Sequence, residues 1–252
     1  MEAAYNRTVQ NMHMLKVSSI EATPTDRWMF NTNYIKPELA DQVSLGYFRN
    51  FDNNEYEFSA EVYYKDLKNQ MDYKDGTTDV YQTENIEPFL LFGKGRAYGL
   101  ELFLKKRRGR FNGWIGYTLS KSEKKIDGIN DGDLYISNQD RTHDISLVGI
   151  YELNKKWSLS GAWVYTTGAP LTLPSGKYVV DSHIILYYEG RNLYRAPAYH
   201  RLDLGATCVL KKTKKYYSEL AFSIYNAYAR KNPYMYRFKQ NMEDGDTSES
   251  SM

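Results

Sequence analysis

The sequence predicts an all-β fold: an antiparallel, up-and-down portion of a transmembrane β-barrel with about nine strands, open because the chain is expected to be a fragment. Three observations predict it. Apolar and polar residues alternate with period two over long segments. The connections between these segments are short and long in turn. The composition suits pleated strands, with 24 Tyr, 15% aromatic residues and 7 Pro in 252 residues.

The clearest strand runs from Glu55 to Lys65. Tyr56, Phe58, Ala60, Val62 and Tyr64 share one face, and Glu57, Ser59 and Glu61 share the other. Similar apolar sets are Val43, Leu45, Tyr47 and Phe51; Tyr98, Leu100, Leu102 and Leu104; and Phe111, Ile115, Tyr117 and Leu119. Trp157, Leu159, Trp163 and Tyr165 follow, then Leu202, Leu204, Ala206, Cys208 and Leu210, then Leu220, Phe222 and Ile224. The segment 142–153 alternates less cleanly, because Val148 and Ile150 fall with Asp144 and Ser146. Residues 2–18 give a weaker strand. The pattern puts Tyr56, Phe58, Leu100, Leu102, Leu159, Leu204 and Phe222 against lipid, and Glu57, Glu61, Glu101, Ser160, Asp203 and Glu219 on the concave side.

Turn residues mark short connections at Asp52-Asn53-Asn54, Arg107-Arg108-Gly109, Asn154-Lys155 and Lys212-Thr213-Lys214. Long loops are expected at 19–38, 74–95, 125–140, 168–198 and from 239 onward. Tight turns at one end and long loops at the other are the asymmetry of an outer-membrane barrel. Aromatics near strand ends match girdles at the two membrane interfaces.

Several classes are disfavoured. No apolar run is long enough for a transmembrane helix. A single cysteine, Cys208, allows no internal disulfide and no Cys-rich zinc site. A net charge of +2 gives no nucleic-acid footprint. The mean hydropathy of −0.65 is that of a soluble protein, but a barrel averages its lipid face with a polar lumen face. The start, Met1-Glu2-Ala3-Ala4-Tyr5, has neither the basic nor the apolar region of a secretory signal, so that signal is expected upstream.

Three segments carry a family resemblance: Lys36-Pro37-Glu38-Leu39-Ala40-Asp41-Gln42-Val43-Ser44-Leu45-Gly46-Tyr47, Gly95-Arg96-Ala97-Tyr98-Gly99-Leu100-Glu101-Leu102 and Asp140-Arg141-Thr142-His143-Asp144-Ile145-Ser146-Leu147. In this order they resemble the C-terminal barrel strands of TonB-dependent outer-membrane receptors, over nearly the whole chain. The resemblance implies energy-coupled uptake of a substrate, such as a siderophore, a glycan or cobalamin, across the outer membrane of a Gram-negative bacterium. It implies outer-membrane lipid around the barrel and an N-terminal plug inside it. It also implies an inner-membrane energy-coupling partner that touches the plug. Residues 1–252 are then expected to be part of one barrel domain, with the plug, the front strands and the last strand lying outside the chain. Such a piece has two open sheet edges and is not expected to form a stable transporter alone. A passive porin and a soluble β-sheet binding module are the alternatives.

No catalytic constellation is evident, and neither a cofactor nor a metal ion is expected. His143 and His200 sit at similar strand ends, but no second ligand recurs at i+2 or i+4, so rim hydrogen bonds are expected. Glu57 and Glu61 read as lumen charges paired with arginines or a plug. Ligand contacts are expected from the long loops. These carry Trp28, Phe30, Tyr34, Tyr81, Phe89, Phe92, Tyr135, Tyr178, Tyr187, Tyr188 and Arg191. Trp28, Tyr81, Tyr135, Tyr188 and Arg191 are the candidate ligand set: aromatics stack on sugars or flat chelates, and Arg holds anions. Loop-on-loop packing is the competing reading for each of them.

Overall fold

The computed structural model describes residues 1–15, 27–75, 86–180, 183–233, 236–240 and 247–251. Nine long strands form one antiparallel sheet in chain order. They are β1 (Glu2–Gln10), β2 (Glu38–Phe51), β3 (Tyr56–Tyr73), β4 (Leu90–Lys106), β5 (Phe111–Ile126), β6 (His143–Glu152), β7 (Trp157–Thr166), β8 (Tyr199–Lys212) and β9 (Tyr217–Ile224). A two-residue strand, Tyr135–Ile136, adds to the loop end of β5. The sheet is open, with β1 and β9 at its edges among the described residues. Those residues include no α-helix, only two short 3-10 turns at Glu87–Phe89 and Asn130–Gly132.

The strand register joins the alternating sets into two continuous faces. Leu45 lies opposite Val62, Val62 opposite Leu100 and Leu100 opposite Leu119. Further along, Ile115, Leu147, Trp163 and Leu202 form another row. The other face carries a polar row of Gly46, Glu61, Glu101, Thr118, Asp144 and Thr166. Val148 and Ile150 do fall on this polar face, opposite Trp114 and Asn112. All the residues expected against lipid share the first face, and all those expected inside share the second. A one-residue slip in any strand would put its apolar set into the polar face, so the pattern itself fixes the register.

The apolar face is not covered. Leu45, Val62, Leu104, Ile115, Leu204 and Phe222 are exposed. Bilayer hydrocarbon is the medium that such a face suits.

The short turns sit where the turn chemistry lies. Asp52, Asn53 and Asn54 all take positive φ (49°, 52° and 65°), which Asp and Asn tolerate better than most side chains. The strands run further at the loop end than alternation indicates. β3 continues to Tyr73 through a bulge between Lys68 and Gln70. Asn69 sits there at φ 56°, and its amide donates to the Pro37 carbonyl at 2.7 Å. The bulge resets which residues face inward, so the alternation breaks although the strand does not. β4 correspondingly begins at Leu90, and Phe92 is a strand residue rather than a loop residue. β5 extends to Ile126, and the charges near its end are paired: Glu123 with Arg96 of β4 across the strands at 2.8 Å and with Lys121 two residues back on β5 at 2.7 Å.

The expected long loops contain structure of their own. Met12–Leu15 pairs with Arg27–Phe30, which splits the strand expected over 2–18. Gly176–Val180 pairs with His183–Tyr187, and Pro170–Leu171 pairs with Tyr194–Arg195. Tyr236–Gln240 pairs with Thr247–Ser251, where the sequence reads as polar loop.

Candidate functional site

The buried hydrophobic clusters lie at the loop end of the sheet rather than on its faces. Ile35, Met71, Ile86 and Leu90 form one cluster. Ile126, Ile129 and Tyr135 form a second, with Leu91 packed against it. The first cluster joins the β1–β2 and β3–β4 connections, and the second joins the β5–β6 connection to Leu91 at the start of β4, beside Leu90 of the first.

Buried polar contacts tie in the β7–β8 connection. Tyr135, 3% exposed, donates its hydroxyl to Asp72 Oδ2 at 2.9 Å. Arg191 reaches the same carboxylate at 2.8 Å and Asp75 at 2.5 Å. The backbone N–H of Arg191 donates to the Asn130 side chain at 2.7 Å. Asn192, 4% exposed, donates to the Ile136 carbonyl at 2.7 Å, and its own N–H donates to Thr172 Oγ1 at 3.0 Å. Burial pushes the Tyr135 phenol well above its ordinary range, and the Asp72 charge adds to the effect. Burial opposes the Arg191 charge, but Asp72 and Asp75 outweigh it and leave the guanidinium pKa raised.

Asp140 is the anchor of the β5–β6 loop. Its residue is 1% exposed, and it accepts the Ser122 N–H at 2.6 Å and pairs with Arg195. In the sequence Asp140 stands out only as part of the segment Asp140-Arg141-Thr142-His143. Its partners lie 18 and 55 residues away, and nothing local signals them.

Beneath this loop body the polar face lines a cavity of about 460 Å³. Thr8, Gln10, Ala40, Leu67 and Ser122 supply its strand wall, and Trp28, His13 and Gln139 come from the loops. Of the candidate ligand set, Trp28 stands on this wall and is exposed. Tyr188 is also exposed. Tyr135 and Arg191 are brought together, but through Asp72 and inside the loop body. Tyr81 lies outside the described residues. His13 and Glu38 on the wall went unremarked as site residues, because a lone His and a lone Glu carry no motif.

The remaining candidates fall into structural roles. His143 Nδ1 lies 3.0 Å from the Tyr117 hydroxyl, and His200 Nδ1 lies 2.7 Å from the Tyr228 hydroxyl. Both rings also stack, on Tyr117 and Tyr165 respectively, within a Tyr- and His-rich band on the apolar face. Glu57 pairs with Arg107 at the short-turn end. Glu61 lies opposite Glu101 on the polar face. Cys208 is a free thiol on the apolar face, opposite Trp157 and Leu220.

The chain is similar to solved outer-membrane receptors. The ferric-catecholate import receptor Fiu from E. coli K12 is 15% identical, with a TM-score of 0.60 over 92% of this chain and 29% of that one. The siderophore receptor PiuA from Acinetobacter baumannii is 17% identical, with a TM-score of 0.60 over 92% of this chain and 30% of that one. The ferripyoverdine receptor of Pseudomonas aeruginosa is 13% identical, with a TM-score of 0.57 over 80% of this chain and 25% of that one. At these identities the likeness concerns the fold, and the chain spans less than a third of each receptor's length. No curated protein sequence matches it. The family model described as TonB dependent receptor-like, beta-barrel matches residues 3–227. The chain therefore belongs to the TonB-dependent receptor β-barrel family, whose place is the outer membrane of Gram-negative bacteria.

Proposed function

We propose that this chain forms part of the barrel wall and outer mouth of a receptor that takes up a substrate across the outer membrane. The energy comes from an inner-membrane partner acting through a plug. The observation that supports this most is the loop body stitched over the polar face, with a cavity beneath it. A passive pore gains nothing from tying its external loops to one another and to the strand ends by ion pairs and buried contacts. A receptor does, because a held loop assembly can present fixed contacts to a ligand. In this reading Trp28 and Tyr188 face substrate, while Tyr135 and Arg191 hold the loops around them.

The test is uptake in cells that express the protein containing this chain. Loss of uptake on deleting either that protein or the inner-membrane energy-coupling protein is the expected result. Uptake that persists without the coupling protein would instead indicate a passive pore.

A further inference from the structure

The short-turn end of the sheet is strongly basic. Eleven of the chain's 33 Lys and Arg lie at 105–110, 155–156 and 211–215, and these three stretches contain no Asp or Glu. They fall at the turns that join β4 to β5, β6 to β7 and β8 to β9. Lys106 pairs with Glu55 and Arg107 with Glu57, both beside the β2–β3 turn. Arg110 donates to the Leu153 carbonyl at 2.8 Å. Arg108, Lys155, Lys156, Lys211, Lys214 and Lys215 are exposed and have no carboxylate partner among the described residues. Successive turns along this rim lie two strand spacings apart, roughly 10 Å. That is about one Debye length at physiological salt, so the repulsion between turns is only partly screened. A counter-charge from outside the chain would relieve it.

The apolar face ends at the same level. Tyr56, Phe111, Tyr151 and Trp157 are its aromatics next to these turns, with Phe111 opposite Tyr151 and Trp157 opposite Cys208. Aromatic rings in this position settle among lipid headgroups. Cations already meet rings there: Lys106 Nζ lies 4.7 Å from the centre of the Tyr56 ring, and the Arg49 guanidinium lies 4.8 Å from that of Phe51. Lys106 and Lys211 stand on the apolar face itself, opposite Tyr56 and Ser218, away from the barrel interior. Strands β4 to β8 each have a neighbour on both sides, so further barrel strands cannot cover their turns.

We propose that these basic turns bind the phosphate headgroups of anionic phospholipids in the periplasmic leaflet, and so fix the depth of the barrel in the membrane. The short turns of such a barrel face the periplasm. Clusters of Lys and Arg beside a membrane-spanning element attract anionic headgroups, and each phosphate can take several of their N–H donors. Reach selects lipid over a periplasmic protein or the cell wall. Each of the three connections is four residues long, so its cations stay at the level of the aromatic rings. The inference goes beyond the uptake reading and does not depend on the cargo.

The test needs a local reporter. Leu153 is exposed in the β6–β7 turn, between the other two basic turns. Leu153→Cys in a Cys208→Ser background would carry a fluorophore in the protein containing this chain, reconstituted into phosphatidylcholine bilayers. Quenching is then compared between spin-labelled phosphatidylglycerol and spin-labelled phosphatidylcholine at equal mole fraction. At low salt the anionic lipid should quench at least about twofold more strongly, and high salt should shrink the difference. Arg108→Gln with Lys155→Gln and Lys156→Gln should remove part of the preference, and so should Lys211→Gln with Lys214→Gln and Lys215→Gln. The six together should abolish it. Exchanging Arg for Lys and Lys for Arg at the same positions should keep it. Equal quenching by the two lipids in the unsubstituted turns overturns the proposal, as does a preference that survives loss of all six cations.

Discussion

The chemistry that organises the outer mouth sits in single buried charges. Asp140 accepts the Ser122 N–H and pairs with Arg195, and its side chain is fully buried. Asp140→Ala leaves a desolvated N–H and an unmatched Arg195, so the loop assembly should lose about 3–5 kcal/mol. Hydrogen exchange should then show the β5–β6 and β7–β8 loops opening, while the sheet amides stay protected. Tyr135 makes a pH-dependent contribution. Its folded pKa is raised by burial and by Asp72. An unfolded tyrosine ionises near about 10. Below that value the contribution is fully present, and it is lost as pH rises through the higher folded pKa. Loop protection should therefore fall at strongly alkaline pH. Tyr135→Phe should remove that dependence and cost about 1.5–3 kcal/mol at neutral pH, since the lost bond is to a charged group. The sequence exposed none of these pairings. Asp72 lies at the end of β3, and Tyr135 and Arg191 lie in the β5–β6 and β7–β8 connections, so only the folded chain brings them together.

At the scale of elements, alternation marks the nine long strands of the sheet, β1 weakly and β6 less cleanly, and misses the two-residue strand Tyr135–Ile136 inside an expected loop; the register shows why it works for the long strands. A strand between lipid and a polar lumen has two different solvents, so its side chains must alternate. The reading failed where a third environment begins. Past Asn69 the end of β3 packs under the loops, and Met71 is buried in their core. The run Lys121-Ser122-Glu123-Lys124-Lys125 lies beyond the alternating set and reaches into the loop expected from 125, but it is strand, with Glu123 matched by Arg96 and Lys121. The segment containing Tyr98-Gly99 has a packing reason. Gly99 lies opposite Tyr63, and a Cβ there would lie 2.8 Å from the Tyr63 hydroxyl. The ring covers the glycine, as aromatics do at barrel positions without side chains. Leu102 lies mid-strand on the apolar face, opposite Ala60 and Tyr117. Leu102→Arg should cost about 2–4 kcal/mol in a bilayer if it sits near the midplane. Equilibrium unfolding into urea from lipid vesicles measures this directly. A cost below a few tenths of a kcal/mol would mean that Leu102 does not meet hydrocarbon.

At the scale of the molecule, the sheet inverts the usual arrangement of a soluble domain. Its large apolar residues are exposed along one face, and its packed cores lie at the loop end. That is stable only where one face meets hydrocarbon and the other meets a polar interior. The central claim is thus which face meets lipid, and site-directed spin labelling tests it most directly. Single cysteines at Leu100, Glu101, Leu102, Phe103 and Leu104, in a Cys208→Ser background, would be labelled in the protein containing this chain and reconstituted into bilayers. Collision with oxygen, which concentrates in hydrocarbon, should be high at 100, 102 and 104. Collision with a water-soluble nickel chelate should be higher at 101 and 103. Alternation of the opposite phase would reverse the two faces, and no alternation at all would contradict the barrel.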